Sequence, residues 1–576
     1  MAAGTGQGWP AMTMAEVRDA LTAPGARFEM EEVAIDGIAT RIWKNAPASL
    51  AALLAASRGQ GERTFLVLDD DRVSYAAHHR AVAALAGHLV ALGIGCGDRV
   101  ALAMRNLPEW PMVFFASVAI GAIVVPLNAW WSADELDFAL RDSGARLLIC
   151  DGERLARLAT PLSALPELPV IVTRSAEPGR AMRLESLIGA PADWAGLADA
   201  DLPQVGIAPD DAAAIFYTSG TTGRPKGAVL SHRNLASNLL SNGYAAARVC
   251  LRRGEIPPEP APRVALMVIP FFHVTGCSAS LLPLVATGST IVLMPKWDAT
   301  QALGLIERER VTTTGGVPTI AWQLLEHPDR ARYDLSSLEA IAYGGAPSAP
   351  DLVRRIRSDL SAAPGNGWGM TETTATVTSL AAEDYLHRPD SAGAPVAVAD
   401  LAIRDADGIT DLPPGTLGEL WARGPMVVRG YWNRPEESAA TFVDGWVRTG
   451  DIARTDTEGF LFIADRAKDV IIRGGENIYS IEVENVLYAH PSVTDAALIG
   501  VPHRTLGEEP VAVVHLCPGC TADAAELQAF VRARLAGFKV PVAIRFMTTP
   551  LPRNASGKIL KTELKHCFVT EQADTA

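Results

Sequence analysis

The sequence predicts an α/β protein: a large N-terminal domain of stacked, mostly parallel sheets with helices, a small antiparallel β subdomain, and an α+β C-terminal domain. Three observations carry this. Over the first 380 or so residues, short apolar runs alternate with alanine-rich stretches of helical spacing, the pattern of buried parallel strands covered by helices. Between 392 and 463 the segments shorten and turn dipeptides crowd in (Asp407-Gly, Asp444-Gly, Glu458-Gly), as in hairpin-linked strands. After Asp465-Arg-Ala-Lys-Asp469 a fresh set of helix and strand signals begins.

The elements follow in order. Apolar runs at 64–68, 100–103, 122–125 and 147–150 predict strands; 74–91 and 132–140 have helical apolar spacing, each with a serine at its N-cap. Another apolar run, 212–217, leads into a loop, a second strand from about 227, and Ser231 as the cap of the next helix. In the tail, Ser480 is expected to cap a helix ending near Ala489 before His490-Pro491. Strands at 497–501 and 510–516 and a helix at 522–535 complete it. The expected domains are residues 1–465, with the β subdomain inside 392–463, a hinge at 466–470, and a C-terminal domain over 471–576.

Composition excludes several classes of function. With 48% hydrophobic and 20% charged residues the chain is an ordinary globular one. A net charge of −14 argues against a nucleic-acid binder, which needs clustered cations. Uncharged stretches at 110–133 and 264–295 are interrupted by Pro and Gly and predict buried strand–helix units rather than membrane spans. The N-terminus lacks the charged and apolar regions of a signal peptide, so a cytoplasmic protein is expected. Seven cysteines are few and odd in number, which suits a reducing compartment, and Cys517-Pro-Gly-Cys520 has no partner set for a metal. It is expected to be a plain turn after a strand.

The chemistry is concentrated at Thr218-Ser-Gly-Thr-Thr-Gly-Arg-Pro-Lys226. Hydroxyls of Thr218, Ser219, Thr221 and Thr222, with the free amides of Gly220 and Gly223, suit phosphate oxygens, and Lys226 supplies a cation. It is not a Walker loop, because Pro225 and Gly227 flank the lysine. This loop resembles the phosphate-binding motif of the AMP-forming acyl- and aryl-CoA synthetases, the superfamily that includes firefly luciferase and peptide-synthetase adenylation domains. Further motifs occur in the order of that family: Tyr343-Gly-Gly-Ala-Pro347, Asn366-Gly-Trp-Gly-Met-Thr-Glu372, Gly430-Tyr-Trp-Asn433, Trp446-Val-Arg-Thr-Gly-Asp451, Arg473-Gly-Gly-Glu-Asn477 and Pro552-Arg-Asn-Ala-Ser-Gly-Lys558.

The resemblance implies a two-step reaction: an acid and ATP form an acyl-adenylate and pyrophosphate, then the thiol of CoA displaces AMP. It implies catalytic roles for Lys226, Glu372 and Lys558, with Glu372 the ligand of Mg2+. Adenine and phosphates would meet Gly344, Gly345, Ala346 and Pro347, then Asn366, Gly367, Trp368, Gly369, Met370 and Thr371. Asp451 would bind ribose with Arg466 beside it. Lys468 falls at the family's hinge, about which a mobile C-terminal domain exchanges Lys558 for the CoA-facing turn Arg473, Gly474, Gly475, Glu476; Lys539 would help hold CoA. The acyl pocket would be lined by Phe272, His273, Val274, Gly276, Cys277 and Val317, with Gly344 and Gly369. The uncharged run 264–295 predicts an apolar acid, whether fatty, aryl or arylalkanoic. His273 is a gate by resemblance, or a hydrogen-bonded core histidine by composition alone. Beside Lys539, Val540-Pro541-Val542 stands where relatives carry further basic residues. The alternatives are an acyl-AMP ligase loading a carrier protein, a luciferase-like oxygenase, and a non-catalytic binding module. A monomer or homodimer is expected. Residues 1–45 precede the matched motifs and have no assigned role.

Overall fold

The computed structural model describes residues 9–218, 224–344, 350–517, 519–553 and 559–566. A seven-stranded sheet runs Lys226–Ser231, Ala212–Thr218, Ile123–Pro126, Arg99–Ala103, Leu147–Asp151, Val170–Thr173, Met182–Arg183. All neighbours are parallel except the first two strands, which form an antiparallel hairpin pairing Thr218 with Lys226. A nine-stranded sheet has six parallel strands at its centre, from Ala363–Gly367 through Ala340–Gly344, Thr313–Gly316, Val264–Met267 and Thr290–Leu293 to Thr64–Leu68. Its outer pairs are antiparallel.

The largest apolar core joins both sheets. Phe65, Leu66 and Ile291 come from one and Val100, Leu102 and Val124 from the other, with Leu85 and Phe115 from the helices Tyr75–Ala91 and Glu109–Ala119. Every residue of Glu109–Ala119 is buried, so the uncharged run beginning at Trp110 is a core helix followed by a strand. Among the described residues no helix is long and apolar enough to cross a membrane. Ser74 and Ser132 cap their helices as the sequence predicts, Ser132 with Glu135 in a reciprocal capping box.

The antiparallel unit is the sheet Asp400–Arg404, Gly418–Arg423, Trp446–Thr455, Phe442–Val443, with Leu461–Arg466 paired to Trp446–Thr455. In the C-terminal part the strands Val493–His503 and Gly507–Leu516 are longer at their shared turn than the apolar runs alone suggested. Two expectations there are corrected. Ser480 is the first residue of the helix Ser480–Tyr488 and makes no cap; its N–H and hydroxyl both bond the buried carboxylate of Asp465, which outcompetes the helix end. Cys517 and Cys520 are joined in a disulfide, where the sequence predicts a plain turn.

The N-terminal segment packs on the long helix His232–Arg252. Helix Met14–Leu21 and the hairpin Met30–Ile35/Ile38–Trp43 precede it, and Phe28, Trp43 and Tyr244 form a cluster with ring centroids 5.5–5.9 Å apart. Trp43 Nε1 donates to Ser241 Oγ (3.1 Å), and the fully buried Arg252 donates to Met12 O and to Asp384.

Candidate active site

In open parallel sheets, ligands bind in the crevice beyond the carboxyl ends of the strands. The motif-bearing segments begin there: Thr218, Gly344 and Gly367 each end a strand, and the acyl motif follows the strand Val264–Met267.

The turn carrying Glu372 is shaped by close backbone packing. A Cβ on Gly367 would lie 2.7 Å from Thr378 O, and one on Gly369 only 1.2 Å from Ala375 O, so neither position accepts a side chain without backbone movement. Thr373 Oγ1 accepts the Met370 N–H (2.9 Å), and Thr374 and Ala375 turn the chain through the left-handed region (φ 53° and 84°). Glu372 is thereby buried, with Val428 N–H donating to its carbonyl (3.0 Å) and the Tyr431 hydroxyl donating to Oε1 (2.7 Å). Burial, reinforced by the Glu372 carboxylate, pushes the Tyr431 phenol up, so it stays a donor. Lys226 Nζ stands 5.3 Å from the Tyr431 ring centroid, a cation–π distance. Gly430-Tyr-Trp is laid on the strand Lys226–Ser231 through Val229 N–H to Gly430 O (3.0 Å) and Trp432 N–H to Gly227 O (2.7 Å).

Four residues before Glu372, Trp368 Nε1 donates to Asp451 Oδ2 (2.8 Å). Asp451 is buried, and its Oδ1 pairs with Arg466 Nε at 2.7 Å across the strands Trp446–Thr455 and Leu461–Arg466, where the two residues are in register. The Asn366 carbonyl oxygen Oδ1 accepts the Gly367 N–H (2.8 Å).

The acyl motif is braced by Asn106, whose Oδ1 accepts the Phe271 N–H (2.8 Å) and whose Nδ2 donates to Ile269 O (2.9 Å). Phe272 meets the half-exposed Trp130 edge-on at 5.8 Å and His273 at 4.9 Å. His273 Nε2 is buried without a hydrogen-bond partner among the described residues, and burial draws its pKa down to about 4, so the ring is neutral. That disfavours a hydrogen-bonded core histidine. Residues Thr275–Leu281 form a π-helix containing Gly276 and the buried Cys277, and a Cβ on Gly276 would lie 2.2 Å from Pro270 O. Val274 is buried beside them, and Val317 precedes the helix Pro318–Leu325.

The AMP-binding enzyme profile matches residues 53–432, and that of the AMP-binding enzyme C-terminal domain matches 482–558. The chain belongs to the AMP-binding enzyme family. Within this family of adenylate-forming acyl-CoA synthetases it is 39% identical to a feruloyl-CoA synthase of Amycolatopsis over 86% of this chain and 94% of the relative. It is 34% identical to the long-chain-fatty-acid–CoA ligase FadD13 of Mycobacterium tuberculosis, over 87% and 94%. Among solved structures, ATP-bound MatB from Rhodopseudomonas palustris superimposes with a TM-score of 0.78 at 31% identity, covering 90% of this chain and 99% of that one.

The C-terminal part of this AMP-binding enzyme carries the remaining expected features. Gly474 and Gly475 (φ 61° and 89°) form the two-residue turn of a hairpin in which Arg473 pairs with Glu476, so the turn itself calls for glycine. Arg473 bonds Glu509 (3.4 Å), and Lys539 is ion-paired with Glu482 (2.6 Å). Among the described residues, no hydrogen bond or ion pair joins this hairpin to Glu372 or Trp368. Lys468 is exposed in the turn after Asp465-Arg466. Ser219, Gly220, Thr221, Thr222, Gly223, Gly345, Ala346, Pro347 and Lys558 lie outside the described residues.

Sequence reasoning missed Tyr431, Asn106 and Trp130 as site residues. Tyr431 stood inside a motif already singled out; Asn106 and Trp130 follow the strands Arg99–Ala103 and Ile123–Pro126, where the carboxyl-end rule could have found them.

Proposed function

We infer that the protein ligates an apolar carboxylic acid to coenzyme A in two steps through an acyl-adenylate, with AMP and pyrophosphate as products. The observation that carries this is the convergence, on one seven-residue segment, of Glu372 with Tyr431 and Lys226 at one end and of Trp368 with Asp451 and Arg466 at the other. The first group suits polyphosphate chemistry and the second a ribose, since a carboxylate can accept bonds from two neighbouring hydroxyls.

Attack of a carboxylate on a phosphate needs neutralisation of charge more than a base. Lys226 and the 218–223 loop would hold the departing phosphates, and Lys558 would approach the carboxylate–phosphate junction. The donor set fits a hard ion: Glu372 offers a carboxylate with one oxygen held by Tyr431, and among the described residues no group of three or more His, Cys, Asp or Glu forms a cage. Such an ion suits Mg2+ arriving on ATP, supplying charge neutralisation on the phosphates. Asp451 and Arg466 would fix the nucleoside, and Trp368 would orient Asp451. Rotation of the domain 471–576 about Lys468 would bring the Arg473–Glu476 hairpin to the adenylate for transfer to the CoA thiol. Phe272, neutral His273 and the small residues Gly276 and Cys277 would receive the tail, an aryl or fatty one as in the two named relatives, in the cytoplasm.

A pyrophosphate-release assay with ferulate and palmitate, with and without CoA, tests the reading. Acid-dependent pyrophosphate together with acyl-CoA supports it, and pyrophosphate without acyl-CoA rejects CoA as acceptor. Lys558→Ala should lose adenylation yet transfer acyl groups from supplied acyl-adenylate; equal loss of both steps would remove Lys558 from its role.

A further inference from the structure

The helix His232–Arg252 has a polar spine that faces protein. Asn234, Ser237, Asn238, Ser241, Arg248 and Arg252 are all buried, Asn238 to 0% exposure. A buried amide is retained only if its hydrogen bonds are made, so the partners of each state what it holds. Asn234 Nδ2 donates to Pro425 O (2.8 Å) and Val427 O (3.1 Å), just before the Val428 N–H that grips Glu372 O. One turn on, Asn238 Nδ2 donates to Thr374 O at 2.6 Å and to Ser278 Oγ at 2.7 Å. Thr374 O can only accept, so the amide is fixed with its NH2 toward the turn.

These two acceptors belong to different halves of the site. Thr374 is the left-handed residue that closes the Thr371–Thr373 turn holding Glu372, and its conformation removes its carbonyl from any helical ladder. Ser278, fully buried, lies in the π-helix Thr275–Leu281 that follows Phe272 and His273. π-Helices are rare and occur mostly as short turns at functional sites. One side-chain amide thus spans the acyl motif and the Glu372 turn with both of its N–H groups.

We propose that Asn238 is a positioning residue that holds the Glu372 turn in register with the acyl-pocket π-helix, so that an acid in the pocket and ATP with Mg2+ at Glu372 sense one another through it. This rests on the ligase reading above. Asn238 touches neither substrate; it acts through Thr374 and Ser278. Trp368 bonds Asp451 directly, whereas the Asn238 amide bonds Thr374 and Ser278, so nucleoside binding at Asp451 is expected to be less affected.

The test is calorimetric and kinetic, on the full chain. Asn238→Ala should weaken the affinity for ATP with Mg2+ roughly tenfold, the scale of losing a buried hydrogen-bond partner, while affinity for AMP without Mg2+ stays within about twofold. In wild type, saturating ferulate or palmitate, whichever is turned over, changes the affinity for a non-hydrolysable ATP analogue with Mg2+; in Asn238→Ala that change disappears. Ser278→Ala removes only the π-helix arm and should abolish the acid–nucleotide coupling with Mg2+–ATP affinity near wild type. This second variant decides the matter if Asn238→Ala fails to fold. Equal weakening of AMP and Mg2+–ATP binding, or coupling unchanged in Ser278→Ala, overturns the proposal. Absence of turnover by wild type with any acid would instead strike the ligase reading.

Discussion

The Tyr431 hydroxyl donates to Glu372 Oε1 at 2.7 Å while Lys226 stands over the face of the same ring at 5.3 Å. One aromatic side chain therefore sets the spacing between an anion and a cation that would both face the phosphates of ATP. Tyr431→Phe keeps the ring and removes the bond. A hydrogen bond to a charged group contributes about 1.5–3 kcal/mol, so adenylation should fall roughly 10- to 100-fold with a raised Mg2+ requirement. Titrating Mg2+ in the pyrophosphate assay checks this; an unchanged requirement would detach Tyr431 from the metal end.

Trp368 meets Asp451 through its indole N–H, and Arg466 holds the other oxygen. In Trp368→Phe the carboxylate keeps Arg466 but loses its orientation. The expected result is a KM for ATP raised roughly tenfold with kcat little altered, the pattern of lost ground-state binding. Steady-state kinetics at saturating acid measure it, and a fall in kcat alone would contradict it.

Gly369→Ala should be more damaging than its size suggests. The added carbon would sit 1.2 Å from Ala375 O, and backbone has no rotamer with which to yield. Overpacking costs about 1–3 kcal/mol, and here the movement that relieves it displaces Glu372. A lowered melting temperature together with loss of adenylation is expected; a fully active variant would show that the turn tolerates the shift.

Acid should weaken the fold through buried histidines, His232 and His273 among them. Burial lowers His232 and His273 to about 4, below the ordinary 6.5, and His232 Nδ1 accepts the Leu50 N–H, which a protonated ring could not do. The unfolded chain binds these protons first, so the stabilising contribution is whole above pH 6.5 and is lost as pH falls toward 4. Asp465, raised to about 6 by burial, has the opposite slope, since the folded state takes up its proton first. His78 and His79, also lowered by burial, add to the histidine slope, and Glu109 and Asp151, raised by burial, add to that of Asp465. Comparing melting temperatures between pH 7 and 5 in wild type and His232→Gln isolates the His232 part, and the variant should lose less stability on acidification.

Much of this architecture could be read from the residues, for physical reasons that differ by element. Strands such as Thr64–Leu68 and Leu147–Asp151 are buried on both faces, so they appear as unbroken apolar runs, and serine caps mark the helices beside them. The proposed nucleotide end could be picked out in the sequence because its residues sit in contiguous motifs, with Trp368 and Glu372 on one segment. What escaped were residues that act across the chain. Asn238 looks like any polar residue of a helix until Thr374 is folded against it, 136 positions away. Ser480 looks like a cap because its competitor, Asp465, lies on another element. The Asp36-Gly37 turn did carry a hairpin signal, both residues having positive φ, but hairpin chemistry alone assigns no task to the segment.

The anchoring of the N-terminal segment has a consequence for biosynthesis. Met12 is tied to Arg252, and Arg252 to Asp384, so this segment cannot complete its contacts during synthesis until residues 252 and 384 have followed it. Trp43 and Phe28 wait likewise for Tyr244. Such long-range closure slows folding and leaves apolar side chains uncovered meanwhile. Production of this enzyme should therefore respond to chaperone supply and to translation speed more than its finished stability would suggest.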